Sequence, residues 1–378
     1  MGMSNTDKPS SLSARRDAAL LLMGTIGGLI VLGTVFSGKR AFEEAALGNL
    51  TVVHEGSGPE GENTHCQRIK EEDQDDFVAF AAQHRQNILF LGNSQTHSIN
   101  QKQPGETVYP ELIQRKLDSI GILTHSMPNA NLQEFLVSHA WWSQHVKPDM
   151  VVVPAFMDDL REDGLRADFM KTVVSTGFQL DATEALEITL NAQLNALTNP
   201  PSEAGSESED PTPQDLSEAA LNTWLEDHTA VWRNRSNARG DLFLTLYGWR
   251  NRLFGISAST QRKMIPARYD RNLQALRLLC DRASREQQQV LIYIPPIRTD
   301  VAPPYDPQEY ARFKEEVASL AEGFEHVQFA NLEDIVPGRL WGVKASTDGD
   351  GEPELDFMHF QFKGHEILAD ALLPYLTP

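Results

Sequence analysis

The chain has 378 residues, of which 40% are hydrophobic, so it is long and apolar enough to bury one sizeable core and a smaller domain besides. Its 53 acidic residues outnumber its 33 basic residues and give a formal net charge of -20, which repels nucleic-acid phosphates and anionic membrane surfaces. These numbers exclude a disordered chain and argue against nucleic acid as a partner.

The number and spacing of the cysteines and histidines limit which metal or cofactor sites the chain could form. Cys66 and Cys280 are the two cysteines, the chain has no C-x-x-C pair, and no histidines cluster near them at ligand spacing. We therefore predict no metal site and no cofactor. A disulfide between the two cysteines would need an oxidising compartment, and the interpretation that we favour for Cys280 is a buried apolar thiol in a helix.

The first 40 residues carry the membrane signal of the sequence. Ala18–Phe36 is an uncharged apolar run of 19 residues, which is long enough for a helix to cross the hydrocarbon core. We predict a cytoplasmic stub and a single-pass anchor within residues 1–40, with the rest of the chain extracytoplasmic; in a Gram-negative cell this compartment would be the periplasm. A cleaved signal peptide is the alternative, disfavoured by the length of the run and the lack of an A-x-A site after it.

The rest of the chain divides into a polar and a patterned part. Residues 41–85 are mostly polar, with a Gly-rich patch and an acidic run, so we predict a tether with one short helix. From residue 86 to 378, short apolar runs alternate with helical patterns, which predicts a three-layer α/β/α sandwich with a mostly parallel sheet. The runs that we interpret as strands are Asn87–Leu91, His125–Pro128, Met150–Pro154, Val290–Ile294 and His326–Ala330.

This alternation lapses at about residues 162–261, which we predict to be an insertion. The segment holds a Ser/Glu/Pro-rich stretch followed by a helical patch that includes Trp224, Trp232 and Trp249. Aromatic residues on helices are usually buried, which favours a helical insertion packed on the core. A cap over a binding site or a docking surface for a partner is the alternative interpretation.

Ser94 is the first candidate for chemistry. It follows a predicted strand in the segment LFLGNSQTHS, and the carboxyl end of a parallel strand opens into the crevice where α/β proteins bind ligands. Gly92 permits a tight turn there, and the start of the next helix would direct N–H groups at developing negative charge. Gly-Asn-Ser also occurs in ordinary loops, so its meaning depends on a second motif.

The second motif is the pair Asp356 and His359 in the segment LDFMHF, close to the final predicted helix. In a turn, this spacing lets the carboxylate accept the Nδ1 proton of the imidazole and leaves Nε2 to take a proton from a serine hydroxyl. A helix-capping aspartate and a buried core histidine are the alternative roles for an isolated D-x-x-H.

The order of the two motifs around an α/β pattern resembles the SGNH (GDSL-like) hydrolase superfamily, whose first block is G-D-S or G-N-S and whose last is D-x-x-H. The resemblance covers about residues 86–160 and 265–378. It implies a flavodoxin-like fold and a serine hydrolase or acyltransferase that acts on ester bonds. In that enzyme Ser94 would be the nucleophile, Asp356 the orienting acid and His359 the general base.

The middle blocks depart from that superfamily. Where it has G-x-N-D, whose Asn donates to the oxyanion, this chain has the residues Ala155-Phe156-Met157-Asp158. The glycine of the second block is also missing. We expect Asn131 or Asn129 to supply an amide donor instead, together with the Ser94 N–H; turn formation is the alternative role for both asparagines.

The chain resembles a membrane-anchored branch of the superfamily that includes D-alanyl transfer and alginate O-acetylation proteins. The features that carry this resemblance are the predicted anchor, the altered middle blocks and the segment VLIYIPPIRTD. This resemblance implies an acyl donor or acylated carbohydrate as substrate, a cell-surface polysaccharide as acceptor, and a membrane-bound O-acyltransferase as partner. The alternative that the sequence leaves open is a weak or inactive scaffold that binds polysaccharide or accompanies such an acyltransferase.

Overall fold

The computed structural model describes residues 50–69, 71–198, 257–345 and 352–377. The predicted anchor at Ala18–Phe36 and the aromatic patch of the predicted insertion lie outside these residues. Within the described ranges, no helix combines the length and the hydrophobicity that a membrane span requires.

The described ranges contain short strands and longer helices in alternation. The strands, in chain order, are β1 (Thr51–Val53), β2 (His65–Cys66), β3 (Gln86–Gly92), β4 (Ser98–Asn100), β5 (Ile120–Ser126), β6 (Met150–Pro154), β7 (Gln289–Ile294), β8 (Val327–Asn331), β9 (Trp341–Lys344) and β10 (Glu354–Phe360). The helices are α1 (Glu71–Ala81), α2 (Ser94–His97), α3 (Tyr109–Gln114), α4 (Leu132–His145), α5 (Ala167–Ser175), α6 (Ala185–Thr198), α7 (Pro266–Arg285), α8 (Pro307–Glu322) and α9 (Phe362–Leu376).

Six of the strands form a central parallel sheet in the order β2-β5-β3-β6-β7-β8. β3 pairs with β5 from Gln86 opposite Ile120 to Gly92 opposite Ser126, and on its other side β3 pairs with β6. The chain therefore adds strands first on one side of β3 and then on the other. Ligands of open α/β sheets bind in the crevice at such a switch point, outside the carboxyl ends of the strands.

Both faces of this sheet are covered by helices. Leu89 and Leu91 lie in a core with α1, α4 and α7, whereas Ile88 and Phe90 lie in a second core with α3 and α9. Successive residues of a strand face opposite sides, so a strand that is apolar at every position belongs between two layers. Each such buried side chain contributes roughly 1.5–3 kcal/mol of hydrophobic stabilisation. The predicted α/β fold with a mostly parallel sheet is confirmed.

In residues 50–69 and 71–85, the described part of the predicted tether at 41–85, β2 and α1 belong to the folded domain. β2 pairs in parallel with β5, and the α1 side chains Phe77 and Phe80 are buried. Phe77 stacks on Trp142, with 4.4 Å between the ring centroids. Two phenylalanines three residues apart share one face of a helix. Because acidic residues surround them, the average composition of the segment is polar and does not indicate this short apolar stripe.

The described residues of the predicted insertion pack on the core. α5 and α6 contact each other, and Phe169, Val173 and Leu190 belong to the same core as α7. Arg282 of α7 donates to the Glu187 carboxylate of α6 at 2.9 Å, and both side chains are shielded from water. A buried charge pair of this kind tolerates little relative movement, because separation would leave each charge unpaired in the interior.

Two short antiparallel pairs stand apart from the central sheet. β1 pairs with β4, which directly follows α2, and β9 pairs with β10. The register of β9 and β10 shifts between Leu355 and Phe360, so β10 carries a bulge across the Asp-x-x-His motif. Bulges redirect side chains locally and often lie beside active sites.

Both cysteines lie in described parts of the chain and are buried, and no disulfide joins them. Burial raises the pKa of the Cys280 thiol to about 12, so the group is neutral at physiological pH. The prediction of a buried apolar thiol in a helix is confirmed for Cys280.

Candidate active site

A tight turn between β3 and α2 places Ser94 at the carboxyl end of β3, beside the switch point of the sheet. Gly92 ends β3, and a Cβ there would overlap the Thr96 side chain, so the turn requires a residue without a side chain. Asn93 caps α2, since its Oδ1 accepts a hydrogen bond from the Gln95 N–H at 3.0 Å. α2 then begins at Ser94, where the first N–H groups of a helix have no helical partners.

Ser94, His359 and Asp356 form one hydrogen-bonded chain. The Ser94 Oγ lies 3.0 Å from His359 Nε2, and His359 Nδ1 lies 3.0 Å from Asp356 Oδ2. Ser94 is half-buried, whereas Asp356 is 1% exposed and His359 is 7% exposed. The serine is therefore the most accessible of the three, and the carboxylate is the most shielded. Their catalytic role stays a prediction.

The bulge in β10 holds the Asp356 carboxylate. Its Oδ1 accepts hydrogen bonds from the Met358 and His359 N–H groups, both at 2.9 Å, and its Oδ2 accepts from Asn100 Nδ2 at 3.2 Å. Burial alone would raise the pKa of Asp356, but electrostatic attraction to His359 and the hydrogen bonds to the carboxylate outweigh it and lower the pKa to about 2. We predicted a turn for these residues; a bulged strand provides the same reach.

An ionised Asp356 fixes the tautomer of His359. Because a carboxylate can only accept, Nδ1 carries the proton and the Nε2 lone pair faces the Ser94 hydroxyl. The hydroxyl then donates to Nε2, which is the arrangement that lets an imidazole act as a general base towards a serine.

Asn100, at the end of β4, is a site residue that the sequence analysis missed. Its Nδ2 lies 3.2 Å from Asp356 Oδ2, 3.0 Å from the Val343 carbonyl oxygen and 3.1 Å from Thr51 Oγ1. Gly342 packs so closely that a Cβ there would overlap the Asn100 amide. Nothing in the sequence marks Asn100, because its contact with Asp356 joins residues 256 positions apart.

Asp159 lies on the other side of Ser94, in the 3-10 turn that follows β6. Asn93 Nδ2 donates to both of its carboxylate oxygens, at 3.3 and 3.2 Å. Burial raises the pKa of Asp159 well above its usual range, and the neighbouring charge of Asp158 raises it further. The sequence does not separate this residue from the acidic run around it, since local composition carries no information on burial.

Asp158 follows Met157, the residue that stands at the asparagine position of the G-x-N-D block. It forms an ion pair with Arg262 and accepts a hydrogen bond from the Tyr305 hydroxyl at 3.1 Å. Arg161 contacts its other carboxylate oxygen at 3.3 Å. Asp158 is therefore engaged by these three side chains, and the Met157 thioether has no hydrogen to donate to an oxyanion.

The two asparagines expected at the oxyanion have defined local contacts. Asn131 is buried and caps α4, where its Oδ1 accepts from the Glu134 N–H at 3.0 Å and its Nδ2 donates to the Gly164 carbonyl at 2.9 Å. Asn129 is exposed and has a φ of 51°, the left-handed conformation of a turn residue. Turn and cap formation thus account for both residues, and a role at the oxyanion stays a prediction.

His365, the other histidine of the C-terminal segment, has a structural set of contacts. Its Nδ1 accepts from the Tyr109 N–H at 3.3 Å, and its Nε2 donates to the Ser98 carbonyl at 3.2 Å. Burial lowers the pKa of His365 to about 3, so the ring is neutral at pH 7. It joins α9 to α3 and β4, and thereby supports the segment next to α2.

Two more histidines meet at the carboxyl end of α2, but not in a metal-binding arrangement. His65 Nε2 and His97 Nδ1 lie 2.7 and 2.9 Å from the same Ser126 Oγ. In the part of the chain that the structure describes, no group of three His, Cys, Asp or Glu side chains is placed to hold a metal ion. The absence of a metal and a cofactor stays a prediction.

No family model and no curated protein matches this sequence. Among solved structures, an acetylxylan esterase from Geobacillus stearothermophilus is 12% identical, with a TM-score of 0.37, over 78% of this chain and 95% of that one. A protein described as an acylhydrolase from Bacteroides fragilis is 10% identical, with a TM-score of 0.35, over 81% of this chain and 97% of that one. Likenesses at these scores carry no argument about activity, which depends instead on the geometry around Ser94.

Proposed function

We propose that this chain is an extracytoplasmic serine esterase or O-acyltransferase of the SGNH type. The observation that carries the proposal is the continuous hydrogen-bonded chain from the Ser94 hydroxyl through His359 to the buried Asp356. A nucleophile, a base and an acid that orients the base are the groups that acyl transfer through a serine requires. The two motifs that resemble the superfamily contain these same residues.

Acylation would begin when His359 Nε2 takes the Ser94 hydroxyl proton as Oγ forms a bond to the ester carbonyl carbon. The carbonyl oxygen becomes a negatively charged oxyanion. When the tetrahedral intermediate collapses, the bond to the leaving alcohol breaks and His359 returns the proton to the alcohol oxygen. Asp356 stays ionised throughout and stabilises the imidazolium.

Deacylation would repeat these steps with a second hydroxyl group. His359 takes a proton from water or from a sugar hydroxyl, whose oxygen attacks the Ser94 ester. Collapse of the second intermediate breaks the bond to Oγ, and the proton returns from His359 to Ser94. Water yields a free acid, whereas a sugar hydroxyl yields a new ester, so access of the acceptor decides between hydrolysis and transfer.

The oxyanion needs hydrogen-bond donors in both steps. The Ser94 N–H is one proposed donor, since it belongs to the nucleophile and lies in the first turn of α2. Asn131 or Asn129 is proposed as the second; the Asn131 amide carries two hydrogens, and its contact with Gly164 uses one. Each oxyanion donor contributes about 3 to 4 kcal/mol to the transition state.

The proposed substrates are acyl esters of a cell-surface polysaccharide, with a membrane-bound O-acyltransferase as partner. Two sequence features support this part: the apolar run Ala18–Phe36, which would anchor the domain at the membrane surface, and the resemblance to D-alanyl transfer and alginate O-acetylation proteins. Anchoring would hold Ser94 within reach of polymers at the outer face of the membrane.

The test uses the full-length protein in detergent, with hydrolysis of p-nitrophenyl acetate and labelling by a serine-directed fluorophosphonate as readouts. Ser94→Ala should abolish both, and His359→Ala should reduce both by several orders of magnitude, because the hydroxyl loses its base. Ser175→Ala, at an exposed serine of α5, is the matched control and should behave as wild type. Labelling that persists at full strength in Ser94→Ala would overturn the proposal.

A scaffold without turnover is the second candidate, favoured by Met157, which has no hydrogen-bond donor, at the position where the superfamily has an asparagine amide. In this case the domain would bind polysaccharide or accompany an acyltransferase. A folded wild type that neither hydrolyses nor becomes labelled, but purifies with an acyltransferase to the same extent as Ser94→Ala, would favour it. Loss of polysaccharide acylation in cells that carry Ser94→Ala would count against it.

A further inference from the structure

We propose that Gln95 is a positioning residue that holds His359 against the nucleophile. The inference rests on the proposed function, since it concerns the same site. Gln95 follows Ser94 directly in α2 and is buried, with 2% of its surface exposed. Its side chain donates to the Met358 carbonyl oxygen at 2.7 Å and to the Pro296 carbonyl oxygen at 2.8 Å.

The first of these contacts acts on the peptide group that carries the base. The Met358 carbonyl and the His359 N–H belong to one planar peptide unit. Asp356 Oδ1 accepts from the N–H end of this unit at 2.9 Å, and Gln95 donates to the carbonyl end at 2.7 Å. The orientation of the peptide, and with it the direction of the His359 side chain, is therefore fixed from both ends.

The second contact attaches the same side chain to the central sheet. Pro296 lies just beyond β7, whose position is set by parallel pairing with β6 and β8. The Gln95 amide has two hydrogens and two carbonyl acceptors, so its donor capacity is fully used. Gln95 thus joins the nucleophile, the base and the sheet through one side chain.

Such a connection is needed because the backbone does not provide it. Ser94 follows β3 of the central sheet, whereas His359 lies in β10, which pairs with β9 in a separate sheet. α2 has four residues, too short for its own hydrogen bonds to fix its orientation. The distance of 3.0 Å between Ser94 Oγ and His359 Nε2 therefore depends on side-chain contacts between α2 and β10.

The test is Gln95→Met, which keeps the length of the side chain and removes both donors. The turnover number and the fluorophosphonate-labelling rate should fall about 10- to 100-fold, with KM changed less than about twofold, since misplacement of a catalytic group acts on the chemical step. Gln361→Met is the matched control: this glutamine is close to the same motif, bonds Gln101 at 2.9 Å at the surface, and should keep wild-type rates.

A double-variant comparison separates positioning from a general effect on folding. In the His359→Ala background, Gln95→Met should cause no further loss of labelling, because the residue that it positions is already absent. A further loss of about 10-fold in that background, or equal rates for Gln95→Met and Gln361→Met, would overturn the proposal. If Gln95→Met does not fold, Gln95→Glu, which has the same shape, takes its place in each comparison.

A readout without turnover keeps this inference distinct from the proposed function. The downfield proton resonance of His359 Nδ1–H is assigned by its loss in His359→Ala, and it should shift or broaden in Gln95→Met but not in Gln361→Met. An unchanged resonance in Gln95→Met would overturn the positioning role. A wild type that shows the resonance but neither hydrolyses esters nor becomes labelled would instead contradict the enzymatic function alone.

Discussion

Asn93 donates its side-chain amide to both carboxylate oxygens of Asp159, at 3.3 and 3.2 Å, while its own Oδ1 caps the helix that begins with Ser94. Both ends of the Asn93 side chain are therefore engaged. The contact joins the carboxyl ends of β3 and β6, the two strands that flank the switch point of the sheet. Asp159 thus supports the turn that presents Ser94.

Replacing the acceptor should affect both stability and activity. Asp159→Leu should lower the free energy of unfolding by about 1 to 3 kcal/mol, because the buried Asn93 amide loses its partner. It should also slow fluorophosphonate labelling of Ser94. Urea unfolding measures the first effect, with Asp168→Leu as the control, since Asp168 on α5 is solvent-exposed. Equal unfolding free energies for the two variants would contradict the role of Asp159.

Gly342 should be sensitive to the addition of a single methyl group. Gly342→Ala would place a Cβ over the Asn100 amide, which would have to move away from Asp356. We expect a stability loss of about 1 to 3 kcal/mol from overpacking and a lower labelling rate. The double variant Asn100→Ala/Gly342→Ala should be no worse than Asn100→Ala alone, since the overlap is then relieved. If the effects of the two substitutions on melting temperature and on labelling rate were additive in the double variant, this coupling would be excluded.

Acid should destabilise the fold within a defined pH window. Burial lowers the pKa of His365 to about 3 from 6.5, and that of His125 likewise to about 3. Between pH 3 and pH 6.5, these imidazoles are protonated in the unfolded chain but neutral in the folded chain. The free energy of unfolding therefore falls as pH decreases from 6.5 towards 3. Asp356, with a folded pKa of about 2 against 3.8, stabilises the fold above pH 3.8 and loses that contribution towards pH 2.

Melting temperatures measured from neutral pH down to about pH 4 test this window. His365→Gln should melt lower than wild type at neutral pH, because it disturbs a buried contact, but its melting temperature should decline less steeply as pH falls. The variant has one buried imidazole fewer that must stay neutral. A slope identical to that of the wild type would contradict the assignment of His365 to the acid transition.

The central strands are readable in the sequence because residues buried on both faces form continuous apolar runs. The predicted strand Met150–Pro154 coincides with β6, and Val290–Ile294 matches all but the first residue of β7. β5 is the exception: the sequence marks a strand only from His125, whereas β5 spans Ile120–Ser126. Gly121 and polar residues interrupt its pattern, and pairing with β2 and β3 on its two sides makes the strand form nevertheless.

The sequence by itself determined which groups were available: a serine after an apolar strand, and a carboxylate three residues before an imidazole. Both patterns are short-range, so local backbone geometry is enough to relate the residues within each of them. Only the tertiary structure decided that Ser94 and His359, 265 residues apart, lie 3.0 Å from each other. Because β3 and β10 belong to different sheets, no strand register specifies that distance; side-chain hydrogen bonds from Gln95 to the Met358 carbonyl and from Asn100 to Asp356 connect the two parts of the site.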